Sequence, residues 1–163
     1  MRAIPVPAAA FIASALVIAG FLFFQYGDGL VPCELCLLDR WPWYAAIGIS
    51  GLALALRRPE SARPVALLLG ICFLVSTGLG GYHVGVEQHI FAGPGACTAP
   101  SLSGQSVEEL LQQLKATPAI RCDVPQWTLF GVSLAGFDLL ASLLLLALCL
   151  FGGRRAALER SPA

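Results

Sequence analysis

The chain has 163 residues, of which 57% are apolar and only 12% charged, and its formal net charge is zero. Soluble domains carry about 25% charged residues, so this composition is typical of an integral membrane protein. The sequence has no basic patch beside aromatic residues, which argues against nucleic-acid binding.

The apolar residues gather in four segments, which cover residues 7–26, 41–56, 65–86 and 127–151. Each is bounded by polar residues, as membrane-spanning helices are. The second has 16 residues where a span needs about 20, but without it the arginine-rich loop at 57–63 would lie on the same side as the cysteine motif at 33–36. We therefore predict an all-α membrane protein, with a single domain over residues 1–163 built as a four-transmembrane-helix bundle.

The basic residues predict how this bundle is oriented. Seven arginines fall at the ends that four spans place on one side: Arg2, Arg57, Arg58, Arg63, Arg154, Arg155 and Arg160. Arg40, Lys115 and Arg121 fall on the other side. Because Lys and Arg accumulate in cytoplasmic loops, both termini are predicted to be cytoplasmic, and the loops at 27–40 and 87–126 to be periplasmic. If the first segment were instead a cleaved signal peptide, the cysteines would still face the same side.

The first outer loop contains a CxxC motif, Cys33 and Cys36, which is followed by Arg40. In a helix that begins near Cys33, both sulfurs and the guanidinium share one face, and the helix N-terminus and the cation favour the thiolate. Thiolates carry out disulfide exchange, so we favour redox chemistry over zinc ligation or an incidental pair. No second CxxC or Cys-x-x-His pair completes a zinc site, and we expect no metal. Pro42 predicts a break in the helix near Asp39.

The second outer loop carries Cys97 and Cys122, with a predicted short helix between them. Ser106 and Glu109 have the spacing of a capping box, and apolar residues recur at helical intervals at Val107, Leu110, Leu111 and Leu114. We expect this amphipathic helix to lie on the membrane surface and to hold both cysteines close to the bilayer.

The apolar segments also contain thiols and polar residues that need an interpretation. Cys72 and Cys149 are predicted to be buried small apolar residues. His83 and His89 lie near the outer interface, where a structural or solvated role is favoured over contact with a cofactor. Asp138 lies within the last segment, and we expect a protonated or hydrogen-bonded packing residue, with a proton path as the alternative.

The placement of the four outward cysteines suggests an electron route. Cys97 and Cys122 lie in the long loop, where a soluble thiol protein can reach them, whereas Cys33 and Cys36 lie at the lipid boundary. Disulfide exchange would pass electrons from the first pair to the second. A quinone is a suitable final acceptor, because it takes two electrons and moves within the bilayer. Arg40 would stabilise the Cys36 thiolate and negative charge on a quinone oxygen.

Short motifs follow one another along nearly the whole chain: Pro32-Cys33-Glu34-Leu35-Cys36, Arg40-Trp41-Pro42, Tyr82-His83-Val84-Gly85-Val86-Glu87, Gly93-Pro94 ahead of Cys97, and Arg121-Cys122-Asp123 running into Trp127 and Phe130-Gly131. Together they resemble the bacterial disulfide bond formation protein B family, DsbB. The resemblance implies a four-helix inner-membrane thiol:quinone oxidoreductase, with ubiquinone or menaquinone as acceptor. It also implies a partner, a periplasmic thioredoxin-like dithiol oxidase of the DsbA kind, which the enzyme reoxidises to sustain disulfide bond formation.

The resemblance further implies individual roles for the site residues. Cys97 would form the mixed disulfide with the partner, and Cys122 would be its mate in the loop. Cys33 and Cys36 would be the quinone-coupled pair, with Cys36 the sulfur nearest the ring. Arg40 would be the cation on the quinone side.

Other functions remain open at this point. The four cysteines would also suit a quinone-linked oxidase with a different thiol partner, or an enzyme of the vitamin K epoxide reductase type. In a structural or assembly protein, Cys33–Cys36 and Cys97–Cys122 disulfides would instead staple the outer loops. A stapled protein predicts inert bonds and no need for Arg40, whereas an oxidoreductase predicts bonds that cycle and depend on a quinone.

Overall fold

The computed structural model describes residues 6–56, 62–94, 106 and 121–158. Within these ranges the chain forms helices and one β-hairpin: α1 (Val6–Tyr26), α2 (Glu34–Leu38), α3 (Arg40–Leu56), α4 (Ala62–Glu87), β1 (Thr128–Leu129), β2 (Val132–Ser133) and α5 (Leu134–Leu158). Most of the described chain is therefore helical, as the composition predicted.

Three of the described helices are long and apolar enough to cross a membrane. They are α1, the Arg63–Glu87 part of α4 and the Leu134–Phe151 part of α5. Helix α3 has 17 residues and begins with an arginine, so it is shorter than the roughly 20 residues that a span needs. The membrane-helical architecture is confirmed, and the number of four spans stays a prediction.

The helices pack in an order that brings α3 and α4 to the centre of the bundle. Helix α1 packs along α3, α3 along α4, and α4 along α5, which is the most extensive of these interfaces. The core is built around Trp43, whose ring lies 5.6 Å from that of Phe73. Ser14, Ser50 and Ser76 are fully buried, and such small side chains let neighbouring helices approach closely.

The expected break near Asp39 is confirmed. Helix α2 ends at Leu38 and α3 begins at Arg40, with the amide of Asp39 still donating to the carbonyl of Leu35 at 2.9 Å. Pro42 is the third residue of α3, in the first turn, where the missing N–H costs no helical hydrogen bond.

The last apolar segment begins differently from the prediction. Residues 127–133 do not continue the helix, because β1 and β2 form an antiparallel hairpin in which Thr128 pairs with Ser133 and Leu129 with Val132. Phe130 and Gly131 both have positive φ, 53° and 79°, as the central residues of a type I′ turn require. Helix α5 therefore begins at Leu134. Of the predicted surface helix, all but Ser106 lies outside the described residues.

Candidate functional site

The two sulfurs of the CxxC motif lie side by side at the start of α2. Cys33 is the N-cap residue, with φ −73° and ψ 171°, and its Sγ accepts a hydrogen bond from the amide of Cys36 at 3.1 Å. The Sγ atoms of Cys33 and Cys36 are 2.7 Å apart, and both residues are free cysteines. The predicted position at a helix N-terminus is confirmed, and the pair is close enough to interconvert between dithiol and disulfide.

A histidine and an aspartate extend this pair into a buried row. Nε2 of His83, from α4, lies 3.7 Å from Sγ of Cys33. Its Nδ1 lies 2.6 Å from Oδ2 of Asp39, the residue at the break between α2 and α3. Asp39 and His83 are 2% and 3% exposed, so this contact is shielded from water. Two segments far apart in sequence, residues 33–39 and helix α4, therefore meet beside this sulfur.

The electrostatics distinguish the two thiols. The pKa of Cys33 is lowered to about 5, mainly because the Cys36 thiol donates to it and further because of His83, while burial opposes both effects. The pKa of Cys36 is raised because its proton is held in that hydrogen bond and because the group is buried. Burial also raises the pKa of Asp39, against the stabilising contact with His83. This arrangement favours negative charge on Cys33 over Cys36, and the Cys36 thiolate that Arg40 was expected to stabilise stays a prediction.

Arg40 lines the same cavity as both sulfurs, but its contacts are with α1. Nη1 donates to Oε1 of Gln25 at 2.7 Å, and the guanidinium carbon lies 5.3 Å from the ring centre of Phe21. The residue is 6% exposed, and its Nε has no hydrogen-bond partner among the described residues. Arg40 is thus a buried cation with an unused donor.

The cavity around these groups combines apolar walls with a few polar atoms. Phe21, Phe24 and Trp127 line it, and the rings of Phe24 and Trp127 are 4.7 Å apart. Besides Nε of Arg40, the buried Oδ1 of Asp39 lacks a partner within the described part of the chain. An unpaired buried donor and an unpaired buried acceptor are costly unless a ligand or water uses them. The site therefore suits a mostly apolar ligand with a few polar groups.

Cys122 is the residue of the second outer loop that the structure brings to this cavity. It is 1% exposed, it is disulfide-bonded, and it packs in one cluster with Cys33, Leu35 and Val86. Cys97 lies outside the described residues. The structure thus brings three of the four predicted site cysteines together.

Two histidines had the same interpretation in the sequence, and the structure separates them. His83 contacts Cys33 and Asp39, whereas His89 lies beyond the end of α4 with φ 57° and lines a different, outer cavity. Sequence reasoning did not assign His83 or Asp39 to the site, since 44 residues separate them. The sequence does give a partial signal for His83. His83 and Glu87 are four residues apart and therefore share one face of α4.

Glu87 is a further buried group that the sequence left unassigned. Its Oε2 accepts a hydrogen bond from Oγ of Ser133, which is the last residue of the hairpin. The same Oγ accepts from the amide of Gly136 at 3.0 Å, so Ser133 caps α5. Glu87 lines the cavity and joins the outer end of α4 to the hairpin.

Asp138 is hydrogen-bonded in the core, which is one of the two arrangements expected for it, and the choice between a packing role and a proton path stays a prediction. One carboxylate oxygen accepts from Nε1 of Trp43 at 2.7 Å, and the residue is 3% exposed. The other oxygen is buried without a partner among the described residues. Gly80 makes room for it, because a Cβ at that position would lie 3.2 Å from this oxygen. Cys149 is likewise buried in the core, with Cys72 packed against it.

The chain is similar in sequence to one known family of proteins. A family profile described as Disulfide bond formation protein DsbB matches residues 4–152. A protein named Disulfide bond formation protein B from Azoarcus sp. (strain BH72) is 30% identical over 93% of this chain and 93% of its own length. One of the same name from Acinetobacter baumannii is 31% identical over 86% of this chain and 84% of its own. Another, from Herminiimonas arsenicoxydans, is 34% identical, but the match spans only 52% of this chain and 53% of that protein. No solved structure is detectably similar.

Proposed function

Because the chain belongs to the disulfide bond formation protein DsbB family, we propose that it is an inner-membrane thiol:quinone oxidoreductase. It reoxidises a periplasmic thioredoxin-like dithiol protein and passes the electrons to a membrane quinone. The observation that carries the proposal is the free Cys33–Cys36 pair, which shares one buried cavity with Arg40 and with the disulfide-bonded Cys122.

The first step is disulfide exchange at the second outer loop. A thiolate of the partner attacks Cys97 of a Cys97–Cys122 disulfide, and Cys122 leaves as a thiolate. The second partner thiol then attacks the mixed disulfide, so that the partner becomes a disulfide and both loop cysteines become reduced. The support for this order is the position of Cys122, which lies in one buried cluster with Cys33 and lines the same cavity as Cys33 and Cys36.

The second step carries the electrons across the cavity. The Cys122 thiolate attacks the Cys33–Cys36 disulfide, and resolution by Cys97 restores the loop disulfide and leaves Cys33 and Cys36 as a dithiol. His83 supports this step because Nε2 is placed to donate a hydrogen bond to the sulfur of Cys33, while Asp39 accepts from Nδ1. The row thus stabilises negative charge on Cys33 when Cys33 is the sulfur that leaves.

The residues that line the cavity fit a quinone. A bound quinone supplies a sink for two electrons and two protons. Its ring requires apolar walls, which Phe21, Phe24 and Trp127 provide, and its oxygens require donors. Nε of Arg40 is a buried donor without a partner among the described residues, and the positive charge of the guanidinium would stabilise a developing oxyanion.

We also propose that the chain spans the membrane four times, with both termini in the cytoplasm and the cysteines in the periplasm. The distribution of arginines supports this orientation. A reporter that is active only in the periplasm, fused after Ala163, is expected to be inactive. An active fusion would reverse the topology.

Quinone reduction by the purified chain tests the proposed function. The protein in detergent is mixed with a reduced thioredoxin-like dithiol protein and a soluble quinone analogue, and quinone absorbance is followed. We expect continuous reduction, its loss in Cys36→Ser, and its retention in Cys72→Ser, a matched thiol variant in α4 outside the cavity. No reduction, or unchanged reduction by Cys36→Ser, would refute the proposal.

A further inference from the structure

The sulfur pair and His83 form a group of metal-ligand atoms that the sequence did not reveal. Sγ of Cys33, Sγ of Cys36 and a ring nitrogen of His83 all lie within 4.8 Å of one another. Two thiolates and one imidazole are the ligand set of soft and borderline cations such as Zn²⁺. The expectation of no metal site considered only cysteines and histidines near in sequence, whereas His83 comes from 47 residues beyond Cys36.

The distances can be compared with those of a tetrahedral site. With Zn–S near 2.3 Å and Zn–N near 2.0 Å, neighbouring ligand atoms are about 3.6 Å apart for sulfur and nitrogen and about 3.8 Å for two sulfurs. The observed distance of 3.7 Å between Cys33 Sγ and His83 Nε2 fits the first value. The sulfurs, at 2.7 Å, must separate by about 1 Å. Rotation of Cys36, which is only partly buried, can provide this separation.

The surroundings of His83 are those of a metal-binding histidine. Its Nδ1 contacts Oδ2 of Asp39 at 2.6 Å, and both residues are buried. Metal-bound histidines commonly donate their second ring N–H to a carboxylate, which fixes the tautomer and orients the ligand nitrogen. Here that contact presents Nε2 to the sulfurs. The adjoining cavity of about 40 Å³ has room for water as a fourth ligand.

We propose that the reduced protein binds one thiophilic divalent cation, of the Zn²⁺ or Cd²⁺ class, through Cys33, Cys36 and His83, and that this binding blocks electron transfer. Binding forms two metal–sulfur bonds and one metal–nitrogen bond, and it displaces the thiol protons to solvent. No electron moves in this step. Because both sulfurs are occupied, they can neither form a disulfide nor exchange with another cysteine. The oxidised pair has no thiolate to offer, so the site exists only in the reduced state.

Cadmium binding to the reduced chain tests the proposal independently of catalysis. The full chain carrying Cys97→Ser and Cys122→Ser is reduced under nitrogen, freed of reductant and titrated with Cd²⁺, and the thiolate-to-cadmium absorption in the ultraviolet is followed. We expect one Cd²⁺ per chain, displaced by excess Zn²⁺. The control is the same double variant, oxidised so that Cys33 and Cys36 form a disulfide. It is expected to show no thiolate-to-cadmium absorption.

Variants distinguish this site from other thiols. Adding Cys72→Ser and Cys149→Ser should leave the titration unchanged, whereas Cys36→Ser should abolish the band. Asp39→Asn should weaken binding about 10- to 100-fold, as expected for a carboxylate that orients a ligand histidine. Equal binding by the oxidised chain, or unchanged affinity in both Asp39→Asn and His83→Ala, would overturn the proposal. If the chain binds Cd²⁺ as expected but does not reduce quinone, the proposed function is refuted and the proposed metal site is not.

Discussion

Two buried aspartates of this protein are held in nearly the same way, yet they serve different parts of the molecule. Oδ2 of Asp39 lies 2.6 Å from a ring nitrogen of His83, and Oδ1 of Asp138 accepts from the ring nitrogen of Trp43 at 2.7 Å. Each has a second oxygen that is buried without a partner among the described residues. The difference lies in the ring that each carboxyl holds.

The imidazole and the indole have different chemistry. An imidazole has a second nitrogen that can donate or accept, and in His83 this nitrogen faces the sulfur of Cys33. The indole has one N–H and no acceptor, and Trp43 is fully buried against Phe73 in the bundle core. Asp39 therefore holds the ring that faces the sulfur of Cys33, whereas Asp138 joins α3 to α5. Replacing either ring should separate loss of reactivity from loss of stability.

The largest expected effect follows from His83→Asn. The asparagine amide can replace Nδ1 in the contact with Asp39, but it does not reach Cys33. Loss of a positioned donor typically lowers rates by about 100-fold or more, so quinone reduction should fall by that factor while the melting temperature changes little. His83→Gln, which can replace Nε2 instead, should retain more activity. Equal activity of both variants and the unmodified chain would show that His83 only packs.

Trp43→Phe should have the opposite pattern. It removes the N–H that satisfies Asp138 and leaves a buried carboxyl without a donor, which costs about 1–3 kcal/mol. The melting temperature in detergent should fall, and the reactivity of the folded protein at Cys33 and Cys36 should remain. Alkylation of the reduced thiols below the melting temperature measures this second property. A large change in their alkylation rate with no loss of stability would contradict the separation of the two regions.

Asp138→Asn is expected to change stability by less than about 1 kcal/mol. The amide oxygen of asparagine can still accept from Nε1 of Trp43, so the contact between α3 and α5 is kept. Quinone reduction should also be close to normal if the residue only packs. Thermal unfolding and turnover of the same preparation check both expectations. Normal stability with strongly reduced turnover would instead favour the proton path that the sequence left open.

The smallest effect is expected at the exposed ion pair of Arg121 and Asp123, which flanks Cys122. Arg121 lowers the pKa of the Asp123 carboxyl, so any stabilisation would be present above the ordinary carboxyl pKa and lost as the pH falls through the lowered value. Because the pair is solvent-exposed, Arg121→Gln should leave the melting temperature unchanged at both neutral and acidic pH. A clearly lower melting temperature of Arg121→Gln at neutral pH alone would mean that the ion pair orders the segment around Cys122.

The features of the fold that the sequence predicted are local ones. Helix lengths follow from apolar segments, and the break before α3 follows from Pro42, whose ring cannot occupy the interior of a helix. The hairpin was missed because its residues are as apolar as the helix that follows, and Phe130-Gly131 is not a typical type I′ turn sequence. His83 was missed because the packing of α4 against α2 and α3, not spacing in the chain, brings it to the sulfurs.

We propose that Cys33 and Cys36 deliver two electrons to a quinone. A single-turnover reaction tests it most directly, with the full chain carrying Cys97→Ser and Cys122→Ser, reduced without oxygen and mixed with one equivalent of quinone. Acid quenching, alkylation and mass spectrometry then measure the oxidation state of the two sulfurs, and absorbance measures how much quinone is reduced. We expect a Cys33–Cys36 disulfide and one quinol per chain. Two alkylated thiols beside unreacted quinone would contradict it.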